Sequence, residues 1–209
     1  RKVTIDAIES SIAQAFPDYR IYRAWTSKMI LKKLKTRDQT HINNVTEAME
    51  EMHKDGITQV IVQPTHVING IENDLMKEDA LAFSGRFRSI SFGAPLLTTE
   101  EDNRKVIDAI AQAFQHLPKD EALVLMGHGT THHANSIYAA LDYTMKDMGY
   151  PNFFMGTVEA YPSMETLIKM IRSFQPKKIH LAPFMIVAGD HARNDMAGDE
   201  ADSWYSQFR

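Results

Sequence analysis

Apolar positions along the chain switch repeatedly between the three-and-four spacing of an amphipathic helix and short unbroken runs typical of buried strands. Val3, Ile5, Ile8, Ile12 and Phe16 predict a helix over residues 2–16, and residues 20–25 alternate as a short strand. Residues 44–53 read as a second amphipathic helix stopped by Gly56. QVIVQP (59–64) then predicts a strand, 70–83 a helix, SISFGAPLL (89–97) a strand with a loop, and 100–115 a helix ended before Pro118. A strand at 121–126, a helix at 134–148, the strand FFMGTVE, a helix at 163–174 and the strand KKIHLAPFMIV complete the series. Strands apolar on both faces and alternating with helices argue an α/β fold whose parallel sheets are covered by helices.

The pattern also repeats. In VIVQPTHVINGIEND and IHLAPFMIVAGDHARND a strand ends in proline (Pro64, Pro183), glycine follows six residues later (Gly70, Gly189), and Glu72 or His191 stands two residues beyond. Upstream, AFPDYRIYRAW aligns with MGYPNFFMGTVE, which pairs Trp25 with Glu159. The chain therefore reads as two α/β lobes, 1–117 and 118–209, related by an internal repeat and facing each other across a cleft. The second copy opens on the strand LVLMGHG whereas the first opens on a helix. The repeat thus predicts a strand-turn segment ahead of Arg1, matching residues 122–130, in the working protein.

Composition narrows the class without changing the fold. With 44% hydrophobic and 24% charged residues, the 209-residue chain has the make-up of an ordinary globular protein. The net charge of −4, with only short clusters at Lys32-Lys33, Lys35 and Lys177-Lys178, argues against nucleic acid as a partner. No apolar run approaches the roughly 20 residues of a membrane helix, so no membrane partner is expected. There is no cysteine, so any metal must be held by imidazole and carboxylate. That absence fits the cytoplasm, the expected compartment, with a periplasmic form after removal of an export signal as the alternative. A homo-oligomer is compatible with the sequence.

The chemistry concentrates in LVLMGHGTTHHANSIYAAL (123–141), where an apolar strand ends in a glycine-flanked histidine before a helix. Open α/β sheets bind ligands at the carboxyl ends of their strands, so His128, Glu159 and His191, each following a strand of the second half, converge by topology. Glu72 takes the corresponding edge of the first half. Two imidazoles with one or two carboxylates suit a borderline divalent cation, and three protein ligands leave positions open for exchange. Each residue has a plainer reading: His128 as a helix cap, His191 as a surface-loop histidine, and Glu159 and Glu72 as acids favoured at helix N-termini. His132 and His133 read as first-turn residues. His41, His53 and His116 read as solvated, and His66 and His180 as satisfied core histidines rather than cleft lining. Met126, Met155 and Met185 fall on strands as core filling. GRFRSISFGAPLL is either an ordinary loop and strand or an apolar platform with cations.

MGHGTTHHANSIYAALDY, GTVEAYPS, LAPFMIVAGDHARNDMAGD and VIVQPTHVINGIEN carry a resemblance to a known family. From Val3 to Phe208 the chain resembles the anaerobic sirohydrochlorin cobaltochelatases of the CbiK type, which are class II chelatases. The resemblance implies two flavodoxin-like lobes with a tetrapyrrole cleft, and insertion of Co²⁺ into sirohydrochlorin without a nucleotide. It also implies an N-terminal strand before TIDAIE and a segment after WYSQF, with a last helix that crosses back to the first lobe. By motif it puts the family's metal histidine on His128, its acidic ligand on Glu159, its second histidine on His191 and the acid beside the cleft on Glu72. Given such a substrate, His128 is suited to act as proton acceptor and ligand in turn, with Glu72 accepting protons or seating the ring. Phe92, Leu96, Tyr161, Phe184, Arg86, Arg88 and Arg193 are candidates for the ring and its carboxylates. Ferrous or nickel insertion and a metal or tetrapyrrole carrier are the rival readings; a hydrolase lacks a G-x-S-x-G nucleophile turn.

Overall fold

The alternation of helices and strands is realised as two separate parallel sheets. The computed structural model describes residues 3–37 and 41–209, with every side chain among them except those of Lys28, Lys33, Leu34, Lys35 and Arg37. Lys2 of the first predicted helix, and the side chains of Lys33 and Lys35 from the lysine clusters, lie outside that description. The chain divides into two compact units, Arg1–Pro95 and Leu96–Arg209.

In the first unit α1 (Ile5–Ala15), α2 (Lys28–Arg37) and α3 (Val45–Lys54) precede β1 (Gln59–Val62), α4 (Ile71–Leu81) and β2 (Ser89–Phe92). β1 and β2 pair in parallel from Gln59↔Ser89 to Val62↔Phe92. α3 starts on a capping box in which Asn44 accepts from the Glu47 N–H and Glu47 accepts from the Asn44 N–H. It buries Val45, Ala48 and Met49, and the core continues through Val60, Met76, Ala80, Phe83 and Phe87. The sheet here is buried on one face only: Val60 is buried while Gln59, Ile61, Ser89 and Ser91 are exposed.

Residues 20–25 do not form the expected strand. Only Trp25 makes a bridge, to Asn44, and the other side chains are spent elsewhere. Arg20 and Tyr22 bind Asp55, while Arg23 binds Asp6 and Glu9 of α1. The alternation thus reports polar side chains anchored to acidic partners beside exposed Ile21 and Ala24, not a ladder. α2 was not expected at all; its run KMILKKLKTR is dominated by cations, and its start is marked only by Ser27, whose hydroxyl accepts from the Ile30 N–H.

The second unit holds α5 (Glu100–Ala113), β3 (Ala122–Gly127), α6 (Ser136–Asp147), β4 (Phe153–Thr157), α7 (Met164–Phe174), β5 (Ile179–Pro183) and the short α8 (Trp204–Gln207). Its sheet runs β4-β3-β5, all parallel. β3 and β4 are buried at every position, as a central parallel strand and its neighbour covered on both faces must be. Met126 and Met155 are fully buried, and Met185 packs against the same core. β5 stops at Pro183, earlier than the apolar run through Val187 suggested, and its last bond to β3 is the Phe184 N–H donating to the Met126 carbonyl at 2.8 Å. Residues His191–Met196 then form a π-helical turn. Among the described residues no helix is long and apolar enough to cross a membrane.

Candidate metal centre

The Gly-His-Gly turn is shaped by what surrounds its glycines. A Cβ at Gly127 would stand 2.6 Å from the Tyr138 ring, and one at Gly129, where φ is +87°, would stand 2.9 Å from the Ala160 nitrogen. Only glycine fits both constraints at position 129, a left-handed backbone pressed against a second loop. The β3–β4 pairing then continues past the strand ends: Val158 N–H donates to the Gly127 carbonyl and Glu159 N–H to the His128 carbonyl, both at 3.0 Å. This zipper carries His128 and Glu159 out of the sheet side by side. Asn135 ties the loops together, its Oδ1 accepting from the Thr130 N–H at 3.0 Å and its Nδ2 donating to the Tyr161 carbonyl at 2.7 Å.

His191 arrives from the other flank of β3, at the head of the π-helical turn after β5. The three side chains meet: a ligand atom from each of His128, Glu159 and His191 lies within 4.8 Å of the others. The imidazoles stand edge to face at 4.7 Å between centroids, and His128 Nδ1 is 3.7 Å from a Glu159 oxygen. Atoms bonded to one ion at about 2.0–2.2 Å are about 3–4 Å apart, so the spacing within 4.8 Å is near what one ion requires. The side chains of His128 and Glu159 are 49% and 56% exposed, which leaves the centre open to an incoming ion. Both histidines have Nδ1 already engaged, His128 with the Gly129 carbonyl at 2.8 Å and His191 with Asp195 Oδ2 at 2.5 Å. With Nδ1 protonated towards those acceptors, each ring keeps its Nε2 lone pair for a metal.

The other candidates in this unit sort by contact. His132 Nδ1 accepts from the Ala134 N–H, so its neutral ring carries the proton on Nε2, in keeping with a first-turn residue. His133 is exposed, with its ring 4.0 Å from that of His132. His180 Nε2 is bonded to Glu121 and is satisfied. Leu96 and Tyr161 are exposed, Phe184 is half-buried with its N–H donating to the Met126 carbonyl, and Arg193 is exposed on the π-helical turn. Sequence reasoning missed Asn135 and Asp195. Signals for both exist in the text: an asparagine closing the GTTHHAN stretch, and an acid four residues after His191, on the same helical face.

In the first unit, Glu72 is exposed in the first turn of α4, where the helix N-terminus favours an acid. Phe92 ends β2 and packs against that unit's core, Arg86 lies over the Phe83 ring at 5.0 Å, and Arg88 is exposed. His53 is exposed, with its ring edge-on to that of Phe87 at 5.9 Å between centroids. His66 departs from expectation. Its Nε2 is 3.2 Å from the Thr26 hydroxyl, but its Nδ1 and both amide atoms of the fully buried Asn73 have no hydrogen-bond partner among the described residues. Burial pushes the His66 pKa below the usual 6.5, against the opposing charge of Glu72 and the Asn73 amide beside the ring. Below that ordinary value the unfolded chain takes up the proton first, so stability falls as pH drops from about 6.5 through the folded pKa and levels off beneath it. Urea denaturation at pH 7 and pH 5 is expected to show this loss, and His66→Gln to flatten it. An unchanged slope in the variant contradicts the assignment.

A sequence profile described as "Cobalt chelatase (CbiK)" matches residues 1–209. The chain belongs to this cobalt chelatase family. It is 38% identical over 204 residues, covering 98% of this chain and 77% of the relative, to a sirohydrochlorin cobaltochelatase of Salmonella typhimurium. It is 31% identical over 212 residues, covering 98% and 73%, to sirohydrochlorin cobaltochelatase CbiKC of Nitratidesulfovibrio vulgaris. For a cobalt chelatase the donor set is apt: imidazole nitrogen and carboxylate oxygen bind a borderline divalent ion without locking it in a closed four-ligand cage.

Proposed function

We propose that this chain inserts Co²⁺ into sirohydrochlorin, with His128, Glu159 and His191 holding the incoming ion. The observation that carries the reading is the convergence of two imidazoles and a carboxylate from the ends of β3, β4 and β5, in a chain of the cobalt chelatase family. In the reaction the ring loses two pyrrole N–H protons, and Co²⁺ exchanges its water and protein ligands for four ring nitrogens. Charge balances without a nucleotide or redox partner: one dication enters and two protons leave.

Each residue then has a task. Glu159 and His191 seat the ion through oxygen and Nε2 while water is stripped. His128, exposed and with Nε2 free, binds it first and accepts a pyrrole proton as the ion passes on. Leu96, Tyr161 and Phe184 offer apolar surface to the macrocycle, and Arg193 meets its carboxylates. Co²⁺ is the substrate metal, and donor identity alone does not separate it from Fe²⁺ or Ni²⁺.

A spectrophotometric insertion assay on the full chain, with Co²⁺, Fe²⁺ and Ni²⁺ in parallel and no nucleotide added, tests the proposal. The expected result is repeated turnover of sirohydrochlorin, fastest with Co²⁺. Stoichiometric binding without turnover would instead identify a carrier, and faster turnover with another ion would reassign the metal.

A further inference from the structure

We infer that Asp195 is a positioning residue for the metal centre, acting on the ion only through His191; the inference rests on the reading of that centre given above. His191 and Asp195 are four residues apart on the π-helical turn His191–Met196, and Asp195 Oδ2 lies 2.5 Å from His191 Nδ1. A carboxylate there can only accept, so the ring must carry its proton on Nδ1 and keep the Nε2 lone pair free. The contact also stops rotation of a side chain whose backbone lies in a turn, beyond the last strand residue, Pro183.

The turn itself accounts for the geometry. Insertions of π character into helical segments occur frequently at functional sites. Here the turn begins after Gly189, whose φ is +51°, and ends where Gly198 donates to the Asn194 carbonyl at 3.0 Å. A Cβ at Gly198 would stand 2.4 Å from that same carbonyl oxygen. The backbone on both sides of the pair therefore takes shapes that glycine admits most readily, by its positive φ at Gly189 and by the close Asn194 carbonyl at Gly198. His128 solves the same problem differently, with the Gly129 carbonyl as its acceptor. The centre thus combines one histidine oriented by main chain and one oriented by a carboxylate.

Substitution separates orientation from coordination. In Asp195→Asn the amide can present either oxygen or NH₂ to the ring, so the Nδ1–H form is no longer enforced. Co²⁺ titration of the full chain without tetrapyrrole is expected to show affinity lowered by about 10–100-fold, the usual effect of losing such a partner. The KM for sirohydrochlorin should stay near wild type. In a His191→Ala background Asp195→Asn should change Co²⁺ affinity by less than about twofold, because a residue acting through His191 has nothing left to orient. Wild-type Co²⁺ affinity in Asp195→Asn overturns the inference while leaving the centre intact. A further large loss in the double variant overturns it too, by making Asp195 a ligand in its own right. Unchanged affinity in His191→Ala alone would remove the centre and the inference together.

Discussion

His128→Ala is expected to reduce the rate of cobalt insertion by at least about 10²–10⁴-fold, the range spanned by loss of a proton acceptor in the transition state. The imidazole is the more exposed of the two histidines at the centre, and it meets the Gly129 carbonyl and, at longer range, Glu159. Removing it therefore takes away the proposed ligand and base without opening the core. Glycine supplies the turn on both sides, and alanine at 128 does not disturb it, so the stability change should stay within about 0.5 kcal/mol. The check is a pair of measurements on one preparation: the initial rate of metallated product and the thermal midpoint. A folded variant that inserts cobalt at the wild-type rate contradicts the role given to this residue.

The largest effect on stability is expected at a pair that has nothing to do with the metal. Asp142 and Lys146 sit one turn apart on α6, with side chains only 12% and 28% exposed and an N–O distance of 2.5 Å. Asp142 also accepts from the Met155 N–H at 2.8 Å, which fastens α6 to β4. Lys146 donates to the Phe153 carbonyl at 2.6 Å and lies over the Phe154 ring at 4.4 Å. Burial already pushes the Lys146 pKa below its ordinary value, with Asp142 opposing the shift. Asp142→Ala strands a buried cation and a strand N–H at once, and should cost about 3–5 kcal/mol by chemical denaturation. Replacing the lysine as well, in Asp142→Ala/Lys146→Met, should recover part of that loss, since no charge is then left alone. Equal stability of the single and double variants would show that the stranded cation is not the cause.

Much of this architecture was written in the hydrophobic pattern. ALVLM and FFM are unbroken apolar runs, and a strand covered on both faces has no polar positions to break them. The Gly-His-Gly turn was legible for a related reason: two glycines around a histidine after such a run mark a backbone that something approaches closely. By contrast, residues 20–25 carry alternation without a ladder, because Arg20 and Tyr22 are committed to Asp55 at the end of α3 and Arg23 to carboxylates of α1. α2 was hidden by its lysines, which masked the helical period. The partners of the site were harder still. Asn135 matters because two loops distant in sequence pass within reach of one amide, and Asp195 because a π-helical turn sets it against a ring. Local spacing could suggest either contact and could not establish it.

The most direct test of the metal centre is a crystal structure of the full chain grown with Co²⁺, with data collected at the cobalt edge. The account predicts an anomalous peak bonded at about 2.0–2.2 Å to His128 Nε2, His191 Nε2 and a Glu159 oxygen. A peak elsewhere, for instance on the neighbouring His132 and His133 rings, with those three side chains unligated, would contradict it.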